Sequence, residues 1–167
     1  KIIFHAHKDL PTKIISKLFF KFLLTKCNKI IVVSKFLKKN FQSIKTHLIY
    51  NIIDNSPKKI KKSIKFNKDK FHILMVANNH SYKNYKLFFS LIEKISNPNL
   101  NFHVFGNHTK VLANNVSKKN KKQVFFHGFH QDPLSLFKNF KSILLIPSVK
   151  PETFSLIILE AFKNKVL

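Results

Sequence analysis

Short apolar runs alternate along the chain with longer stretches in which apolar residues recur every three or four positions. That is the signature of βα units built on a parallel sheet. Strands are predicted at Ile2–Phe4, Ile30–Val33, Leu48–Tyr50, His72–Val76, Phe102–Phe105, Val124–His127 and Ile143–Ile146. Between them, Thr12 to Lys26 carries Ile14, Ile15, Leu18, Phe22 and Leu23 as a helical stripe, with Lys13, Lys17 and Lys21 in a row opposite. Such a helix either covers the sheet with its lysines in water or lies on an anionic membrane, and the first is the plainer reading. Ser34 is placed to cap a helix through about Gln42, and Asn84 one through about Ile95. Asp132 followed by Pro133 is placed to open one through about Phe140.

The pattern breaks at 55–70, where lysines crowd a stretch with little periodicity. It reads as a linker between an α/β piece at 1–54 and a second at 71–167. Three parallel strands leave an edge and a face uncovered, so the first piece is expected to be partial. The ending AFKNKVL reads as a helix giving way to a further strand, so the second is expected to be cut as well. At 167 residues the chain has room for about one ordinary domain or two incomplete ones.

All 31 basic residues are lysine, against seven acids, for a formal net charge of +24. Richness in Lys, Asn, Ile and Phe with little Gly or Ala is what AT-rich codons produce, so part of this charge reflects composition rather than a partner. At 44% hydrophobic with 19 Phe, the chain can bury a core. Lysine runs at 58–65 and 118–122 could track a phosphate backbone. Without Arg forks or Trp platforms, however, nucleic acid is set aside as a partner. No apolar run of about 18 residues is free of lysine, and the chain opens on Lys1 without a signal-peptide pattern. The expectation is a cytoplasmic protein, with the inner face of an anionic membrane as a candidate contact.

Several chemistries are excluded. Cys27 alone makes no disulfide and no CxxC site. With glycine only at Gly106 and Gly128, neither a G-x-G-x-x-G fingerprint nor a Walker A loop can be written. Asp stands only at 9, 54, 69 and 132, so no D-x-D pair can hold a divalent ion against a diphosphate.

The segment with the most chemistry is SILLIPSVKPETFSLIILEAF at 142–162. A buried strand enters a Pro-bounded loop and a helix is predicted from about Phe154. The amides of Phe154, Ser155 and Leu156 would be free donors at that helix start, a ready anion site. Glu160, two turns in, could accept from vicinal sugar hydroxyls. A nucleoside diphosphate offers both groups.

The pattern P-E-x-F-S-L-x-x-L-E-A resembles the donor-site motif of retaining glycosyltransferases of the family-4 type. Further resemblances run in the family's order: HAHKD at 5–9, KIIVVSKFLKKNF at 29–41, LIYNIID at 48–54, ILMVANNHSYKN at 73–84, FHVFGN at 102–107 and VFFHGF at 124–129. The resemblance implies an α/β chain of the GT-B fold. On this view 1–54 is the C-terminal part of an acceptor-side Rossmann-like domain and 71–167 a nucleotide-sugar domain. It implies transfer with retention, without metal or cofactor, from a UDP- or GDP-linked sugar to a saccharide or lipid-linked acceptor. Glu160 would bind ribose and Glu152 the donor sugar, both as implied roles. Lys83 would neutralise the leaving diphosphate, sharing its charge with the amides of Phe154, Ser155 and Leu156. His7 would reach the donor sugar, with His5 the lesser candidate. The two are read as facing opposite sides of the sheet. Where the family usually has Gly-Arg the chain has Ala77-Asn78. Asn78, the donor-site residue there, has neither the charge nor the forked donors of arginine. The competing reading is an inactive remnant, or a basic polyanion-binding module on the same scaffold.

Overall fold

The computed structural model describes residues 1–7, 11, 13–41, 43, 45–53, 64–95, 97–150 and 155–167. Two compact units result, one on Lys1–Asp54 with Glu152–Leu156 and the other on Asn55–Pro151 with Ile157–Leu167.

The first unit is a three-stranded parallel sheet in the order β1-β2-β3: β1 (Ile3–Ala6), β2 (Lys29–Val32) and β3 (Thr46–Leu48). Helix α1 (Ile14–Thr25) joins the first two strands and α2 (Lys35–Asn40) the last two. The Ser34 hydroxyl accepts from the Leu37 amide at 3.2 Å, capping α2 as its sequence position predicts. Ala6, Cys27, Ile30, Val32, Val33, Leu37 and Phe41 form the core, with Phe4, Phe20, Leu24 and Leu48 packed against it.

Helix α1 faces the other way from the plainer expectation. Phe20 and Leu24 turn toward the core, whereas the predicted stripe of Ile14, Ile15, Leu18 and Phe22 points outward, with Ile15 84% exposed. At 100° per residue, Phe20 and Leu24 lie almost opposite Leu18 and Phe22 on the helix. One face therefore packs inward while a second apolar face stays in solvent.

The second unit is a four-stranded parallel sheet of β4 (Phe71–Val76), β5 (Leu100–Phe105), β6 (Val124–Gly128) and β7 (Ser142–Leu144). Its order is β6-β5-β4-β7, so the chain runs outward from β4 and then returns to β4's other side. On one face, α3 (Tyr85–Lys94) lays Tyr85, Phe88, Phe89 and Ile92 over Ile73, Met75, Phe102 and Val104. On the other, Leu74 and Phe105 pack with Leu134, Phe137, Ala161 and Val166, the last two contributed by α4 (Leu156–Lys163) and the residues after it. Burial on both faces explains why these strands read as mainly apolar runs without strict alternation.

Three expectations shift. The Asp132–Pro133 start leads only to a 3-10 turn, Leu134–Phe137, rather than to a helix through Phe140. Side chains at i and i+3 eclipse in that geometry, which sends both Leu134 and Phe137 into the core. The predicted linker is in part structured: Phe66 stacks on Phe137 at 4.5 Å and belongs to the core of the second unit. Its stretch 55–63 lies outside the described residues. Finally, Leu167 already pairs along β7, donating to Ser142 O and accepting from the Leu144 amide.

Candidate functional site

Open parallel sheets bind ligands beyond the carboxyl ends of the strands where the strand order reverses. Here that point lies between β4 and β7, flanked by the β4–α3 loop at 77–84 and the β7–α4 loop that opens at Leu145. A small cavity of about 20 Å³ forms its floor, lined by Val76, Ala77 and Lys83 from one side and Pro147, Ser148 and Ile157 from the other. Ile157 lies one turn before Glu160 on α4.

The β4–α3 loop is fixed from several directions. The Tyr85 hydroxyl donates to Ala77 O at 2.6 Å, and Asn107 N–H donates to the Asn78 side-chain oxygen at 2.8 Å. Burial pushes the Tyr85 phenol well above its ordinary pKa, so it remains a donor across the working pH range. Asn84 adopts the left-handed conformation at φ 55° and its side chain accepts from the Leu87 amide, starting α3. Val149 N–H donates to Tyr82 O at 2.9 Å, tying the two loops together across the crevice.

The expected site residues are placed as follows. Lys83 lines the cavity floor, and Glu160 is half-buried on α4 with its backbone carbonyl accepting from Asn164. Asn78 stands at the crevice, but its side-chain oxygen is committed to the Asn107 backbone, so it ties two loops. Ser155 and Leu156 are described, Leu156 as the first residue of α4, two positions later than predicted. Glu152 and Phe154 lie outside the described residues. His7 follows β1 in the first unit and is exposed. Its ring lies 4.2 Å from that of His5, so the two do not face opposite sides. Residues two apart on a strand share a face, and Ala6 between them takes the buried side.

The sequence reading missed Tyr82 and Lys150. Lys83 Nζ lies 5.2 Å and Lys150 Nζ 6.0 Å from the Tyr82 ring centroid. The signal available was a lysine inside the Pro-bounded loop, one residue before Pro151.

A wider cavity of about 670 Å³ lies in the first unit, lined by Lys21, Lys39, Lys45 and Phe41 among others. It sits at the carboxyl ends of α1 and α2, where Lys45 Nζ contacts Thr25 O and Cys27 O. Lys45 there meets the carbonyl that ends α1, at the negative end of the helix dipole, where an anion is not favoured. Among the described residues no group of His, Cys, Asp or Glu could hold a metal ion.

The profile of a family described as glycosyl transferases group 1 matches residues 56–167, two-thirds of the chain. The chain belongs to that family. Among solved structures it is similar to Anabaena Alr3699/HepE in complex with UDP, at 19% identity and TM-score 0.74, covering 98% of this chain and 51% of that one. A glycosyltransferase from Rickettsia africae ESF-5 gives 19% identity and TM-score 0.70 over 99% of this chain and 50% of that one. A point mutant of S. aureus TarM in complex with Fondaparinux, alpha-GlcNAc-glycerol and UDP gives 18% and 0.66 over 98% and 35%. The chain thus spans a third to a half of these glycosyltransferases, whose α/β fold of the GT-B kind it shares. No curated protein matches it.

Proposed function

We propose that this group 1 glycosyltransferase chain carries the donor side of a retaining, metal- and cofactor-independent transfer of a hexosyl group. The donor is a UDP- or GDP-linked sugar and the acceptor a saccharide or a lipid-linked saccharide. The observation that carries the reading is the convergence at the strand-order reversal of Lys83 on the cavity floor and Ile157, one turn from Glu160. That pairing offers a cation for the diphosphate and a carboxylate for the ribose hydroxyls. The first-turn amides of α4, from Leu156, offer further donors to the departing charge. The UDP in the Anabaena complex favours uridine as the base. Glu152 at the donor sugar, His7 reaching toward it and retention itself are carried by the resemblance.

The test is binding of UDP, GDP and ADP by ligand-observed NMR, with Glu160→Ala as comparison. One nucleotide is expected to bind, and the substitution to weaken it at least tenfold, as the loss of a hydrogen-bonded charge of about 1.5–3 kcal/mol requires. Equal binding of all three, untouched by Glu160→Ala, would refute the donor site.

The outward face of α1 supports contact with an anionic membrane as part of this reading. Phe22 and Leu18 project to solvent beside Lys21 and Lys26, whose ammonium sits 5.5 Å from the Phe22 ring centroid. Among the described residues no helix is long and apolar enough to cross a membrane, so the contact would be interfacial. The chain is expected to co-sediment with phosphatidylglycerol vesicles and not with phosphatidylcholine ones, and Phe22→Asp to release it. Equal sedimentation with both lipids, or an unaffected variant, counts against the contact.

A further inference from the structure

We propose that Lys150 is a second phosphate-binding cation of the donor site, seated with Lys83 on the ring of Tyr82; this rests on the donor reading above for the identity of the ligand. Within the β4–α3 loop the only lysine is Lys83. Asn78 adds no charge, and its oxygen is already held by the Asn107 amide. The other cation comes from across the strand-order reversal. Lys150 reaches Tyr82 from the β7–α4 loop at 6.0 Å, against 5.2 Å for Lys83, both within the range of a cation–π contact.

The ring that gathers them is itself held. His80 stacks on Tyr82 at 5.6 Å with an interplanar angle of 9°, and the Tyr82 carbonyl accepts from Val149 N–H. That hydrogen bond fixes the residue next to Lys150 against the residue next to Lys83, so the two stems start from adjacent backbone. Both ammonium groups lie within 6.0 Å of the centre of one ring, and their positive charge attracts an anion to this end of the crevice. A diphosphate, with several acceptor oxygens on two phosphorus atoms, can take a hydrogen bond from each. The cavity beneath, with Ser148 and Lys83 in its wall, has room for about one water, so a diphosphate would lie over it and not inside it.

The experiment measures inorganic pyrophosphate, UDP and GDP binding by phosphorus NMR on the chain and its variants. Lys150→Gln, an exposed substitution, is expected to weaken pyrophosphate and the preferred nucleotide about tenfold, most strongly at low salt. Tyr82→Leu should weaken both less, and Lys118→Gln, in the remote lysine run, should change neither. An unchanged affinity in Lys150→Gln, a Lys118→Gln effect as large as that of Lys150→Gln, or no pyrophosphate binding by the unaltered chain would overturn the proposal. If pyrophosphate binds through Lys150 but neither nucleotide binds better than pyrophosphate, the anion site stands and the donor reading falls. If Glu160→Ala abolishes nucleotide binding while Lys150→Gln is silent, the donor reading stands and this one falls.

Discussion

Replacing Gly106 by alanine is expected to destabilise the second unit by about 2–6 kcal/mol, a large share of the roughly 5–15 kcal/mol that holds a domain folded. A Cβ there would lie 1.9 Å from the carbonyl oxygen of Ala77 and 2.5 Å from its carbon. Both are backbone atoms and cannot swing aside. The φ of +142° adds strain for any L side chain. Glycine is required because the ends of three neighbouring strands are laced together at this point. Ala77 N–H donates to Phe105 O, Gly106 N–H to Gly128 O, and Asn79 N–H to Asn107 O. Gly128 is the natural contrast. Its φ is +74°, but the only atom near its added Cβ is the Lys110 Cε at 3.2 Å, the movable end of a long side chain. Gly128→Ala should therefore cost only about 1–2 kcal/mol. Urea unfolding followed by circular dichroism compares the two. Equal midpoints would mean that the strand ends yield more easily than their hydrogen bonds imply. Because Ala77 lines the crevice floor, a folded fraction of Gly106→Ala should also bind nucleotide more weakly.

What was legible in the sequence follows from which interactions are local. The strands could be read because each is a short run rich in β-branched or aromatic residues, buried on both faces in β4 and β5 and on one face in β1. Their ends moved where ladder pairing decides: β3 was expected at Leu48–Tyr50 but pairs with β2 through Thr46–Leu48. Ser34 and Asn84 were readable as caps because a cap bonds within three residues. The direction of α1 was not, since Phe20 and Leu24 compete with a longer apolar stripe and only the sheet chooses between them. Lys83 and Glu160 were singled out as candidates by motif. Lys150 was not, because its meeting with Tyr82 joins loops nearly seventy residues apart that only the β4–β7 pairing brings together. The histidines at 72, 103 and 127 were equally hidden, each an isolated polar residue in an apolar strand.

Those histidines lead to the other large expected effect, loss of stability on mild acidification. His72 Nδ1 lies 2.9 Å from His103 Nε2, and His103 Nδ1 lies 3.0 Å from His127 Nε2. The protonation pattern of this wire is set at its far end. His72 Nε2 faces the carbonyl of Asn67 at 2.9 Å, which can only accept, so that nitrogen carries the hydrogen. His72 Nδ1 then accepts from His103, and His103 Nδ1 accepts from His127. Three neutral rings in one tautomer result. Protonating His103 would set two N–H groups against each other among Phe66, Phe125 and Phe137. Burial foremost, then the neighbouring histidines, hold His103 down to about 2. Burial, then His130, holds His127 down to about 4, and burial lowers His72 as well.

Unfolded histidine titrates near 6.5, so above that pH neither state takes up protons and the wire is neutral to stability. Below it the unfolded chain gains protons that the folded chain refuses, at about 1.4 kcal/mol per pH unit for each histidine. By pH 5, His103 should have removed about 2 kcal/mol, with a smaller further loss from the partly solvent-screened His127. Most of that falls between pH 6.5 and 5, above the range where ordinary carboxylates titrate, which separates it from repulsion among the lysines. The measurement is the urea midpoint at pH 7.5, 6.5, 5.5 and 5.0, with His103→Gln as comparison. Glutamine can still accept and donate but does not titrate, so its pH slope should be shallower by one histidine. A midpoint that stays flat down to pH 5 would show that the folded wire accepts protons as readily as the unfolded chain.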